Sequence, residues 1–410
     1  MDVQDYIDLR LVHEIHRSMR QSFRGCRRRW DWIFHGHYYP RTTAKPLEFG
    51  VAYHVGMEVF YNPDTWNWDL SVRTSLAIKA FVDKCDQQKK KALEVLDIPY
   101  LDSEVEADYQ ERVKLGKGML YYYCTRVSPE QDKGWKPVRV EVEFLVEIPH
   151  PETKETIWCK CNACWKLWTD KFSLSVDPAT DLGDRRLWQG LPVVYGGRLD
   201  VLAQDENDDL WIIDWKTARA LPKQFAFLDI DDQVGSYPWA LRKCLGLNVR
   251  GFVYHAQRKG FPQPPQRNRV RRLGCIFSVN KNQEVDYDTY LLTVQKEDAE
   301  AFQAGYYNDM LTFLKNEGAV YFTRHQIHKT DDELEEIERN LGLEVLDMID
   351  PNLRIYPSPG RFGCDFCAFQ TPCIEKNTRG DYEYALETGY EKRPHYWVKQ
   401  EPSTESKGGE

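Results

Sequence analysis

Two carboxylates and one amine carry the strongest chemical signal in this chain. Asp200, Asp214 and Lys216 lie in residues 196–217, GGRLDVLAQDENDDLWIIDWKT. Arg198 to Gln204 alternates as a strand does. Asp205 to Asp209 is a polar turn, and Leu210 to Ile213 is apolar and β-prone. Together they predict a β-hairpin. Side chains alternate along a strand, so Asp214 and Lys216 share one side of the second strand. Asp200, on the first strand, can face them. Carboxylates in that position hold a hard divalent cation through oxygen. An ammonium beside them stabilises charge that builds up on an attacked phosphate. Taken alone, the same residues also describe a surface hairpin with an ordinary Asp–Lys pair.

Other groups have spacings that suit chemistry. Cys26 stands in SFRGCRRRWDWIF, among Arg24, Arg27, Arg28 and Arg29. By themselves, a lone Cys is a small packing group and an Arg cluster is a solvated helix face. Cys159, Cys161 and Cys164 lie in CKCNACW and could ligate zinc, but no fourth ligand stands nearby at the usual spacing. Cys364, Cys367 and Cys373 form C-x2-C-x5-C, interleaved with Phe362, Phe366 and Phe369. They too need a fourth ligand to close a zinc site or an iron–sulfur cluster. His54 follows Gly50 at i, i+4 and shares its helix face. A helical Gly costs about 1 kcal/mol against Ala, which suggests another backbone passing close by, with His54 looking across it. A hydrogen-bonded core histidine explains His54 equally well.

Glu141 and Glu143 share one face of PVRVEVEFLVEI (137–148), an alternating strand, and either could point at a metal. Gln233 and Tyr237 share a face of a helix predicted near 229–245, which Pro238 would kink or begin. Between 256 and 274 runs a Pro-rich basic loop with Arg258, Lys259, Arg267, Arg269, Arg271 and Arg272. It suits phosphate contact or plain solvation equally.

The elements that must position these groups follow from pattern. Helices are expected over 8–38, 47–61, 71–96, 104–126, 296–316 and 331–342, and short strands over 250–256 and 272–278. A chain of 410 residues can hold two or three domains, or one large domain with insertions. We divide it into an N-terminal helical segment (1–46), a helical region with His54 (47–135), and a core (136–295) with an insertion at about 149–195. A C-terminal helical segment with the Cys trio (296–398) and a disordered tail (399–410) follow. No apolar run of ~18 residues suggests a membrane span. The N-terminus is charged and lacks a signal core, which points to the cytoplasm. There, clustered Cys favour metal over disulfides. A net charge of −9 argues against wholesale coating of nucleic acid but leaves room for a local basic groove.

In order along the chain, these motifs resemble the iron–sulfur branch of the RecB-type nucleases in the PD-(D/E)XK superfamily. That branch includes CRISPR-associated RecB-like exonucleases, the AddB nuclease domain and phage relatives. The likeness spans residues 22–376; each motif is weak alone, and their order makes the set specific. It departs from the pattern in the insertion of about 45 residues with its extra Cys trio, and in Trp215 where Tyr is common. The resemblance implies an α/β fold: a mixed β-sheet flanked by helices, a helical N-terminal part and a C-terminal Fe–S segment. It implies a 4Fe–4S cluster on Cys26, Cys364, Cys367 and Cys373, with zinc as the alternative at that set. It implies Mg2+ or Mn2+ on Asp200, Asp214, the Trp215 carbonyl and His54. Lys216 would orient the attacking water, Glu141 would assist, and Gln233 and Tyr237 would position the site. Arg24, Arg27, Arg28, Arg258 and Arg269 would follow DNA. The expected activity is an exonuclease on DNA ends, single-stranded preferred and 5′ to 3′, in recombination or repair of a bacterial or phage-infected cell. A helicase or recombinase is the partner such enzymes suggest. Two alternatives stay open: a silent cluster-stabilised DNA-binding accessory protein, or an endonuclease or RNA-processing enzyme using the same site.

Overall fold

The computed structural model describes residues 2–41, 45–96, 100–172, 187–221, 225–272 and 274–393. The tail expected from 399, and residues 173–186 of the insertion, lie outside the described residues. Strands are numbered β1 (His13–His16), β2 (Tyr38–Pro40), β3 (Lys136–Glu147), β4 (Trp158–Cys159), β5 (Leu191–Gln204), β6 (Leu210–Ala218), β7 (Val249–Arg258), β8 (Arg267–Arg272), β9 (Cys275–Phe277), β10 (Phe322–His328) and β11 (Tyr390–Lys392).

The hairpin forms as its pattern requires, and its second strand lies inside the main sheet. β6 pairs antiparallel with β5 on one side and parallel with β7 on the other. Covered on both faces, it needs a continuous apolar run, and LWII supplies it. β10 adds antiparallel to β7, and β3 runs antiparallel along β5 from Lys136↔Gln204 to Glu147↔Val194. The result is a mixed sheet with helices on both faces, as expected. On one face Leu202 and Ile212 pack with Val234, Leu241, Leu341 and Val345 of the helices Asp232–Leu245 and Asp331–Ile349. On the other, Val201, Trp211, Ile213 and Trp215 pack with Phe49, Tyr53, Phe81 and Leu120, from three helices between 45 and 122.

Several strands were not legible, β1 and β10 of the main sheet among them. Residues 8–38 are not one helical stretch: His13–His16 is a strand, parallel to β5 from His13↔Val193 to His16↔Gly196. Four residues are too few to show a period. β10 is mostly polar, because an edge strand needs little burial. The sheet therefore draws on residues outside 136–295. A smaller core, including Phe277, Tyr290, Tyr307 and Met310, crosses the expected boundary at 295.

Residues 38–40 and 390–392 meet. β2 pairs with β11, and Trp32, Phe369 and Leu386 form a small core against which Cys367 and Cys373 pack. Cys26 is extended between the helices Arg17–Gly25 and Arg27–Phe34.

Gly50 departs from expectation. Among the described residues no backbone approaches it; a Cβ there would have only Thr217 Oγ1, at 4.0 Å. Gly50→Ala is therefore expected to stabilise the 45–60 helix by about 1 kcal/mol, read from denaturant midpoints at an unchanged m-value. A destabilised variant would show that the site is tighter than this spacing indicates.

Candidate active site

The site forms where the hairpin strands part. The β5–β6 ladder begins at Gln204↔Leu210 and ends at Val201↔Ile213. Beyond it, Asp200 Oδ2 accepts the Trp215 N–H at 3.0 Å, so a side chain takes over where the backbone ladder stops. β3 occupies the other edge of β5, so β1 takes the edge that β6 has left. Two glycines allow this crowding. A Cβ on Gly196 would collide with the Glu14 carboxylate, and one on Gly197 with the Phe144 ring.

A backbone irregularity decides which glutamate faces the site. Val140 packs into one core and Val142 into the other, although strand alternation would put both on the same side. The switch occurs at Glu141, whose φ of 49° is left-handed. Leu199 and Val201 switch faces in the same way on β5. Glu141 thus turns toward Asp200, and its carboxylate pairs with Arg198 Nε at 2.6 Å. Burial pushes the Glu141 carboxyl up, Arg198 pulls it down, and the Asp200 charge pushes it up further; the net direction is up. Glu143 instead lines a neighbouring cavity of about 1280 Å3, with Glu14, His16 and Arg198.

Asp214 is buried on the next strand. Its Oδ1 accepts from Gln233 Nε2 at 2.7 Å and from Lys216 Nζ at 2.9 Å. Gln233 lies in the first turn of the 232–245 helix, where Asp231 caps the N-terminus. Asp214 Oδ2 is 2.6 Å from Lys216 Nζ, yet makes no well-directed hydrogen bond. From the opposite face, on the 45–60 helix, His54 Nδ1 lies 3.2 Å from Asp200 Oδ1. Sequence motifs from residues 54, 141, 200, 214, 216 and 233 therefore converge.

Their charges are set by one another. Burial raises the Asp214 carboxyl above its usual range, opposed by Lys216 and reinforced by Asp200. Burial also works against charge on Asp200, but His54, Lys216 and the Trp215 amide outweigh it and hold this carboxyl low. Lys216 and His54 are likewise desolvated, yet the two carboxylates hold both in the protonated direction.

The remaining expected residues are more scattered. Tyr237 packs its ring edge-on against Phe144, 5.2 Å away, beneath the site. Arg24 makes a two-pronged contact with Glu344, at 2.7 and 2.6 Å. Arg27 lies over Phe23 and Tyr356. Arg28 donates to Asn377 and to Cys373 Sγ. Arg258 pairs with Glu284 over the Tyr321 ring. Arg269 is exposed on β8, which pairs with β9 and not with the main sheet.

The sequence reading missed Arg20 and Arg17. Arg20 is fully buried and bridges Asp232 and Glu344, each at 2.6 Å, fixing the start of the helix that carries Gln233. Arg17 lies 3.4 Å from Asp231 and acts electrostatically on Lys216 and Tyr237. Neither has a motif of its own. Their partners lie over 200 residues away in sequence.

Two acids, one with a buried oxygen left without a directed donor, fit a hard divalent cation through oxygen. The flanking lysine suits phosphate chemistry. A search of curated proteins returns no match. A family model described as the PD-(D/E)XK nuclease superfamily matches residues 18–374, most of the chain and every element of the site. With its acids and lysine gathered at the parting of two sheet strands, the chain belongs to the PD-(D/E)XK nuclease superfamily.

Proposed function

We propose that the protein is a Mg2+- or Mn2+-dependent DNA exonuclease that works 5′ to 3′ from ends, prefers single strands, and is held together by a 4Fe–4S cluster. The observation that carries the nuclease reading is the buried Asp214–Gln233 pair, with half-buried Lys216 beside it, facing Asp200 and His54. Asp200, Asp214, the Trp215 carbonyl and His54 would hold the cation. When bound, it supplies charge neutralisation at the phosphate and makes water nucleophilic near neutral pH. Lys216 brings a fixed positive charge to the developing phosphorane. Gln233 keeps the Asp214 carboxylate from rotating. Glu141, pushed toward its protonated form, can accept or return a proton beside Asp200. The preference for ends rests on the likeness of the ordered motifs to exonucleases, as does action in recombination or repair beside a helicase or recombinase.

The cluster reading has support in the sulfur environment. Each of four sulfurs takes an N–H: Cys26 from Ser358 at 3.5 Å, Cys364 from Gly360 at 3.5 Å, Cys367 from Phe369 at 3.4 Å and Cys373 from Arg28 at 3.4 Å. Such donors suit thiolates.

The test uses end-labelled linear and closed circular DNA, single- and double-stranded, with Mg2+, Mn2+ or EDTA. Cleavage should need metal, stop in EDTA, release short products from linear single strands, and spare circles. Cut circles would replace the exonuclease by an endonuclease, and cleavage of RNA alone would replace its substrate. No metal-dependent cleavage of any substrate would leave a DNA-binding accessory protein.

A further inference from the structure

The three cysteines of the insertion have a fourth partner that the sequence spacing hid. His13, Cys159, Cys161 and Cys164 place one ligand atom each within 4.8 Å of every other. His13 Nδ1 is 3.2 Å from Cys164 Sγ and 4.0 Å from Cys161 Sγ, and the Cys161 and Cys164 sulfurs are 3.4 Å apart. All three thiols are free, with no disulfide among them. We propose that these four residues form a structural zinc site that fastens the insertion to the first strand of the sheet.

The distances agree with the ion. Zinc–sulfur bonds of about 2.3 Å and zinc–nitrogen bonds of about 2.0–2.1 Å put tetrahedral ligand atoms roughly 3.5–3.8 Å apart. The observed spacings straddle that value. Three thiolates and an imidazole are a soft set that suits zinc and not magnesium. Four protein ligands close the coordination sphere, which marks a structural site and not a catalytic one. The local fold also favours thiolates. Cys161 caps the helix Asn162–Lys171 and Cys164 sits in its first turn, where the backbone N–H groups point outward. The Cys164 N–H meets Cys161 Sγ at 3.4 Å. Cys159 and Cys164 are buried. Trp165 meets Trp188 edge-on and Trp168 packs tilted against it, in the same core that holds Cys159 and Cys164. Binding would release three protons from the four ligands to solvent, with no redox change, and leave three thiolates and a neutral imidazole on the ion.

The placement gives the site a job. Between β3 and β5 the described residues hold little regular structure, the two-residue β4 and one ten-residue helix. This stretch cannot bury much by itself. His13 belongs to β1, the strand that fills the edge left by β6 and brings Glu14 against Gly196. A metal there would hold β1 and the insertion together on the same end of β5. This inference does not depend on the nuclease reading or on the cluster at the other four cysteines.

The test is metal content of the full chain, purified under reducing conditions from zinc-supplemented medium. Wild type should carry about one zinc per chain that Cys164→Ser and His13→Ala lose, while Cys85→Ser keeps it. Cys367→Ser should keep it too, which separates this site from the C-terminal set. Because the variants could fail to fold, Co2+ is also added to metal-stripped wild type. Tetrahedral d–d bands and a sulfur-to-cobalt charge-transfer band at one equivalent are expected. Wild type without zinc and without these bands would overturn the assignment. So would zinc retained in both Cys164→Ser and His13→Ala, or a Cys161–Cys164 disulfide found by mass spectrometry.

Discussion

Asp214→Asn is expected to abolish cleavage in a chain that still folds. Asparagine keeps the shape and the Oδ1 acceptor that Gln233 uses. It removes the negative charge and turns the second oxygen, now without a directed donor, into an N–H group. That group repels a cation where the acid would hold one. Single fixed electrostatic contacts in active sites are worth about 10²–10³ in rate, and loss of a ligand to the activating ion should reach or exceed the upper figure. Lys216→Ala should lose at least about 10²-fold on the same reasoning. Stability should change little for Asp214→Asn. Burial already disfavours the Asp214 charge, so its removal offsets part of the lost attraction to Lys216. Single-turnover cleavage of labelled single-stranded DNA, beside a thermal melt, checks both statements. Wild-type rates in both variants would remove these residues from the reaction.

Cys367→Ser should show the second large effect. If the four cysteines hold a cluster, the full chain is brown, and the variant is colourless. The link from Cys26 to Cys364 closes a loop of roughly 340 residues. On a chain-entropy model, a cross-link of that length restricts the unfolded chain by about 5–6 kcal/mol. The variant should therefore melt well below wild type, and Cys26→Ser should match it from the far end. Cys244→Ser, in the 232–245 helix, is the control that should keep colour and stability. A colourless wild type carrying zinc on these four residues would sink the cluster.

The site was largely legible because its parts are local patterns. The hairpin announces itself by alternation, a polar turn and an apolar run, and Gln233 by its place opening a helix with Tyr237 one turn on. What escaped notice depends on pairings across the chain or on backbone detail. Glu141 and Glu143 are equivalent in an ideal strand; a single left-handed φ separates them. His13 looks like part of a helical segment, and its thiol partner is 151 residues away. The Arg24–Glu344 pair, 320 residues apart, has no local signature either. Gly50 misled for the opposite reason. A helical Gly suggests a close-packed neighbour, which the described residues around Gly50 do not supply.

The place of β1 has a consequence for the protein's birth. Of the described strands β1 is made first, and β5, the strand it pairs with among the described residues, is made roughly 180 residues later. At 5–20 residues per second that is a wait of about 10–40 s. β10 and the last three cysteines of the C-terminal set come later still. The cleft around Asp200 and Asp214 therefore cannot take its final shape when its own hairpin is made, and any power to cut would arrive only after β10 has joined the sheet.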